Sequence, residues 1–223
     1  MTWKSFFTAS IGKKFAMGLT GLFLISFLMV HAGVNSCIFV NDNGDTFNSA
    51  AHFMSHNWVI RIMEIGLFAG LILHIIQGLL LWKQNNAARP VKYNRSDANK
   101  NSKWYSRSMG LLGTLLLFFL VIHISKFFLD TKISLYGAGN DDHNLYESMK
   151  VEFSKWWIVV IYIAGVTSLF WHLLHGFGSA FQTMGINHKR YTPLIKTIGI
   201  GYTVIICLLF ASMPLAFYFN WIQ

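Results

Sequence analysis

The stretch VIRIMEIGLFAGLILHIIQGLLLW, residues 59–82, decides the fold. It is long and apolar enough to cross the hydrocarbon core of a bilayer as one helix. In lipid the backbone must satisfy its own hydrogen bonds, so the segment is a helix and not an isolated strand. One histidine, His74, lies well inside it. Ionisable side chains are rare and costly at that depth, so His74 needs a reason.

Working outward, four more stretches read the same way: Phe15 to Val40, Ser108 to Leu129, Trp156 to Phe181 and Leu194 to Phe219. The chain is 54% hydrophobic and only 12% charged, which leaves little material for a soluble domain. The expected fold is all-α: an integral membrane five-helix bundle, one membrane domain over residues 1–223. A cleaved signal peptide is the rival reading of the start. The first stretch is too long for a signal core, and no small-residue cleavage site follows a short one.

The charges orient the bundle. Lys4, Lys13 and Lys14 precede the first span; Arg89, Lys92, Arg95, Lys100, Lys103 and Arg107 lie between the second and third; Lys189 and Arg190 precede the fifth. Asp42, Asp45, Asp130, Asp141, Asp142, Glu147 and Glu152 fall in the other two loops. The excess of Lys and Arg on one side puts the N-terminus and the basic loops in the cytoplasm, and the C-terminus outside a cell (inner) membrane. Trp3, Trp58, Trp82, Trp104, Trp156, Trp157 and Trp221 stand near span ends, as interfacial belts require. The net charge of +9 is therefore a membrane-face effect and not a nucleic-acid footprint. The basic face, Lys83 to Arg107 above all, suits docking of a partner protein. Cys37 and Cys207 form no spacing motif and imply neither a metal site nor a deducible disulfide.

Four spans carry one central histidine each: His31, His74, His123 and His172. At 1.5 Å per residue, His31 lies about 25 Å from Lys14 and His123 about 24 Å from Arg107. His74 lies about 13 Å from Lys83, and His172 about 19 Å from Gly185. His31 and His123 thus share an outer level, and His74 and His172 an inner one. Two b-type haems, each held by two imidazoles, need four histidines on four helices in two levels. Small residues surround the inner pair at helical spacing: Gly66, Gly70 and Gly78 around His74; Gly165, Ser168, Gly176 and Ser179 around His172. They either leave a slot for a flat ring or pack helices closely. Two axial imidazoles leave iron no open position, which suits electron transfer and argues against oxygen chemistry.

The other polar residues stay open between two readings. His175 lies one turn from His172 and is the alternative ligand. His52, His56, His143 and His188 read as loop histidines, with His52 and His56 also candidates for an outer proton or quinol site. Glu64 is either a functional buried acid or the partner of Arg61, three residues before it. Lys126 either snorkels outward or reaches a haem propionate.

These residues resemble a known family. The carrying segments are Ser10-Ile-Gly-Lys-Lys leading into Thr20-Gly21, His31-Ala-Gly-Val-Asn35, His74-Ile-Ile-Gln-Gly78, His123, and His172-Leu-Leu-His-Gly176. Together, over nearly the whole length, the chain resembles the dihaem cytochrome b membrane anchor of succinate dehydrogenase and fumarate reductase, in its single-polypeptide, five-helix form. The resemblance implies that His31 and His123 ligate an outer haem b and His74 and His172 an inner one. It implies flavoprotein and iron–sulfur partner subunits on the cytoplasmic face, and a quinone substrate, menaquinone, reached through the haems. Related anchors often sit in dimeric complexes. Some fumarate reductases of this type place a glutamate two residues before the fourth-span ligand as part of a proton route; Phe170 stands there in this chain. Two other functions fit the histidines: a cytochrome b subunit of another respiratory enzyme, such as a hydrogenase or formate dehydrogenase, and a haem-free transporter with a histidine proton relay.

Overall fold

The structure, a computed structural model, describes residues 9–87, 103–137 and 144–222. Trp3, Lys4, Arg89, Lys92, Arg95, Lys100, Asp141, Asp142 and His143 lie outside the described residues, and with them much of the basic loop between the second and third spans. All regular structure among the described residues is helical. Helix α1 spans Ser10–Asn35 and ends in a 3-10 turn, Ser36–Val40. Helices α2 (Asp45–His56) and α3 (Trp58–Ala87) follow, then the single turn α4 (Trp104–Arg107). Helix α5 (Met109–His123) passes through a π-helical turn, Ile124–Leu129, into α6 (Asp130–Gly137). Then come α7 (Leu145–Phe153), α8 (Trp156–Thr183) and α9 (Thr192–Tyr218).

Five helical segments are long and apolar enough to cross a membrane: Ile11–Val40, Trp58–Ala87, Met109–Gly137, Trp156–Thr183 and Thr192–Tyr218. The chain is a multi-pass membrane protein by that criterion. The third segment runs past the expected Leu129, because charges read as loop residues are accommodated in the helix. Lys132 meets Glu64 of α3 at 2.8 Å, and the Thr131 hydroxyl bonds the Phe127 carbonyl at 2.6 Å.

Helices α2 and α7 replace two expected loops. A turn leads into α2 with Asn41, Asn43 and Gly44 all in left-handed conformations. There an Asp42 oxygen accepts the Thr46 N–H at 3.0 Å and also its hydroxyl. These bonds, the hydroxyl's first, hold the Asp42 carboxyl below the usual carboxylate range. Asn144 caps α7, its side-chain oxygen accepting the Glu147 N–H at 3.0 Å. Asn48 joins the two helices by accepting the Tyr146 N–H and donating to Asn144. Beneath them Ile38, Phe47, Tyr146, Phe153 and Phe217 form a buried cluster, and Tyr146 is only 1% exposed.

Gly44 is fixed twice over. Its φ of +84° suits glycine, and a Cβ there would enter the Tyr146 ring. Gly44→Ala should therefore destabilise the α2–α7 cap by about 2 kcal/mol or more, from strain and overpacking together. Hydrogen exchange of α2 and α7 would report it. Protection equal to that of the unaltered chain would refute the account.

The chain forms two compact units, and each long helix contributes a part to both. One unit takes its described residues from Met1–Phe27, Ile65–Thr114 and Leu169–Val204. Within it Phe23 packs on Gly70, Phe177 on Gly199, and the Tyr202 hydroxyl donates to the Ile25 carbonyl at 2.6 Å. The other unit comprises Leu28–Glu64, Leu115–Ser168 and Ile205–Gln223 and contains the cluster under α2 and α7.

Candidate functional site

Each unit brings two of the four span histidines together. His31 of α1 and His123 of α5 have ring centroids 5.7 Å apart and planes at 89°. His74 of α3 and His172 of α8 stand 6.1 Å apart with planes at 66°. These are the groupings expected from depth. His172, not His175, is the ring set against His74. All four rings are half-buried. Charging an imidazole within hydrocarbon is costly, so the rings stay neutral and each keeps one nitrogen lone pair.

The hydrogen bonds around the rings decide where those lone pairs lie. The Thr20 hydroxyl gives its proton to the Ala16 carbonyl at 2.8 Å, so towards His74 Nδ1, at 3.2 Å, it accepts. His74 therefore carries its proton on Nδ1 and presents Nε2 as a base. His123 Nδ1 lies 3.3 Å from the Tyr162 hydroxyl. At His31, Nδ1 faces the Asn35 amide nitrogen at 3.4 Å, and that nitrogen also donates to the His31 carbonyl at 2.8 Å. His172 Nδ1 is buried with no hydrogen-bond partner among the described residues.

Glycines stand beside the second pair. A Cβ on Gly21 would sit 3.6 Å from His74 Cε1, and one on Gly113 would sit 4.0 Å from His172 Cε1. The small-residue stripes divide into close-packing and open positions. Gly70, Gly78 and Gly165 are close-packing positions, against Phe23, Met17 and Phe119, whereas Gly66 and Gly176 have open space where a Cβ would stand.

The buried charges pair differently from the local expectation. Glu64 pairs with Lys132 of α6, not with Arg61. Arg61 Nε instead donates to the Ser55 carbonyl at 2.9 Å, and its guanidinium lies over Tyr136. A partner one turn away competes poorly when the third span brings an ammonium group to the carboxylate. Lys126 joins Lys155 on Glu152, at 3.5 and 2.9 Å. His52 and His56 stack at 3.8 Å and line a small cleft with Asn48, Ser55, Thr131 and Leu135. His188 Nδ1 accepts the Arg190 N–H in the turn before α9.

Thr20, Asn35 and Tyr162 are the partners that reading the histidines alone misses. Thr20 and Asn35 lie within the quoted motifs, next to Gly21 and one turn after His31. Tyr162, 39 residues from His123, has no local signal.

No group of three or more His, Cys, Asp or Glu among the described residues is arranged to hold a metal ion. A two-imidazole haem site takes only two protein ligands and is not of that kind. Comparison with protein-family models, curated proteins and solved structures gave no match to this chain.

Proposed function

We propose that this protein is a dihaem cytochrome b that anchors a succinate dehydrogenase or fumarate reductase in the membrane. It relays electrons between an iron–sulfur partner on the cytoplasmic face and a membrane quinone, menaquinone by resemblance. A flavoprotein partner carries the dicarboxylate chemistry. The observation that supports this best is the pairing of four span histidines, one from each of four helices, into two facing pairs.

The residues fit the group. An imidazole nitrogen would bond a metal at about 2 Å, so two rings that shared one iron would have centroids about 6 Å apart. The pairs here stand at 5.7 and 6.1 Å. A haem so held supplies a one-electron carrier with no open coordination position. The chain's own residues orient the ligands. Thr20 keeps the His74 proton on Nδ1, the outer-shell arrangement that metal-bound histidines commonly have. His74 and His123 have a hydroxyl oxygen beside Nδ1 as they stand, whereas His172 has no acceptor at Nδ1 among the described residues. His31 fits once the Asn35 amide turns, because a ligand bonded through Nε2 carries a proton on Nδ1 and needs an acceptor there.

A reduced-minus-oxidised spectrum of the natively purified protein, with haem quantified per chain, tests the reading. Two b-type haems and a co-purifying flavin-bearing subunit are expected. Two haems with a different catalytic partner would move the protein to another respiratory enzyme. Absence of haem would overturn the reading in favour of a histidine proton relay.

The glycine beside His74 gives a second check. Gly21→Val places a branched side chain against the Cε1–Nδ1 edge of the His74 ring, where Thr20 also lies. By turning that ring the variant should cost one haem per chain and keep the other. Full retention of both would show that contact at this edge does not set the position of the ring.

A further inference from the structure

We propose that Tyr162 is the positioning residue of the His31–His123 pair: its phenol oxygen fixes the proton and rotation of His123. The inference rests on the haem reading above, and its test separates the two.

Tyr162 has little freedom. It is 7% exposed, and its ring is caged by Phe119, Phe127 and Phe153 at centroid distances of 5.1, 6.2 and 4.9 Å, each close to edge-on. A hydroxyl in such apolar surroundings needs a partner, and among the described residues it bonds His123 Nδ1. Phe119 and Phe127 also border the His123 ring, at 5.6 and 5.8 Å. One aromatic cage therefore holds both partners of the bond.

Next to Phe153 on α7, Glu152 has one carboxylate oxygen on Lys155 and Lys126; the other is buried without a hydrogen-bond partner among the described residues. Lys126 comes from the π-helical turn that directly follows His123. Phe119 of α5, Phe127 of that turn and Phe153 of α7 thus meet at the Tyr162 ring of α8, whereas His172 Nδ1 has no hydrogen-bond partner among the described residues.

The chemistry follows from the proton. A histidine that bonds iron through Nε2 carries its proton on Nδ1, and Tyr162 oxygen is placed to accept it. An acceptor at Nδ1 makes Nε2 a stronger donor. A stronger donor favours the oxidised metal. Tyr162 would therefore hold the potential of a haem at this pair down.

Tyr162→Phe keeps the ring and removes only the oxygen. In the natively purified complex, an optical redox titration should show one haem shifted to higher potential and the other unchanged. The electron paramagnetic resonance signature of that same haem should change. If that variant assembles poorly, nitrogen-15 shifts of labelled histidine in the unaltered protein serve, and a single fixed tautomer at His123 is expected. Unchanged potentials and signature in Tyr162→Phe, or an unfixed His123 proton, would overturn the proposal. If the unaltered protein carries no haem, the dihaem reading falls and the bond is read directly. Nitrogen-15 shifts of labelled histidine in the full chain should then show a single fixed tautomer at His123, lost in part in Tyr162→Phe. Identical shifts in the two proteins would overturn the positioning role itself.

Discussion

Replacing either His74 or His172 with alanine should halve the haem content, from two per chain to one. On the proposed reading each ring would supply one of two bonds to a single iron, and one ring alone would not hold a six-coordinate site. Neither variant should disturb the other pair, since His31 and His123 belong to the other compact unit. The optical spectrum should keep the features of one haem, and His31→Ala or His123→Ala should remove the complementary set. His175→Ala is the control and should keep both haems. The pairing fails if His175→Ala loses a haem that His172→Ala retains, or if His74→Ala retains both.

The second large effect is structural. Glu64 and Lys132 are 27% and 17% exposed at the side chain, and their charged atoms are 2.8 Å apart. Removing one partner strands a poorly solvated charge, which typically costs about 3–5 kcal/mol. Glu64→Ala should therefore destabilise the protein by about 3 kcal/mol. Lys132 also lies near the Phe128 and Tyr136 rings, which partly stabilise an ammonium group left alone. Glu64→Ala should accordingly be milder than Lys132→Ala, which leaves a bare carboxylate. Replacing both with apolar residues should recover most of the loss. Denaturant unfolding in detergent measures all three. A double variant no better than the worse single would mean that the pair is not coupled.

The long spans are legible because hydropathy over twenty or more residues leaves few alternatives in lipid. Depth along a helix is legible too, since the rise per residue is constant, and it groups the same histidines that the structure brings together edge-on. The short helices α2 and α7 are not. Their sequences, such as Asp45-Thr-Phe-Asn-Ser-Ala and Leu145-Tyr-Glu-Ser, mix polar and apolar residues without a strong period, and tertiary bonds from Asn48 and Asn144 stabilise them. The continuation Asp130–Gly137 is hidden for a related reason. Asp130 and Lys132 look like loop charges until a carboxylate 68 residues earlier is seen to meet the lysine. Glu64 shows the same problem from the other side, since Arg61 is the only partner that local spacing offers. Tyr162 is legible only through space. A tyrosine in an apolar span carries no mark of which histidine it will face.

The π-helical turn Ile124–Leu129 gives the third span two phases. Such a turn accommodates one residue more than an α-helix would, and each residue of an α-helix advances the azimuth by about 100°. His123, before the turn, faces His31; Lys132 and Tyr136, after it, face Glu64 and Arg61. An uninterrupted α-helix aimed correctly at one of these sets would miss the other. The extra residue works as a phase shifter: it lets a single rod serve a ring pair and an ion pair whose angular demands conflict. Chain length within those six positions is therefore constrained even where side-chain identity is not.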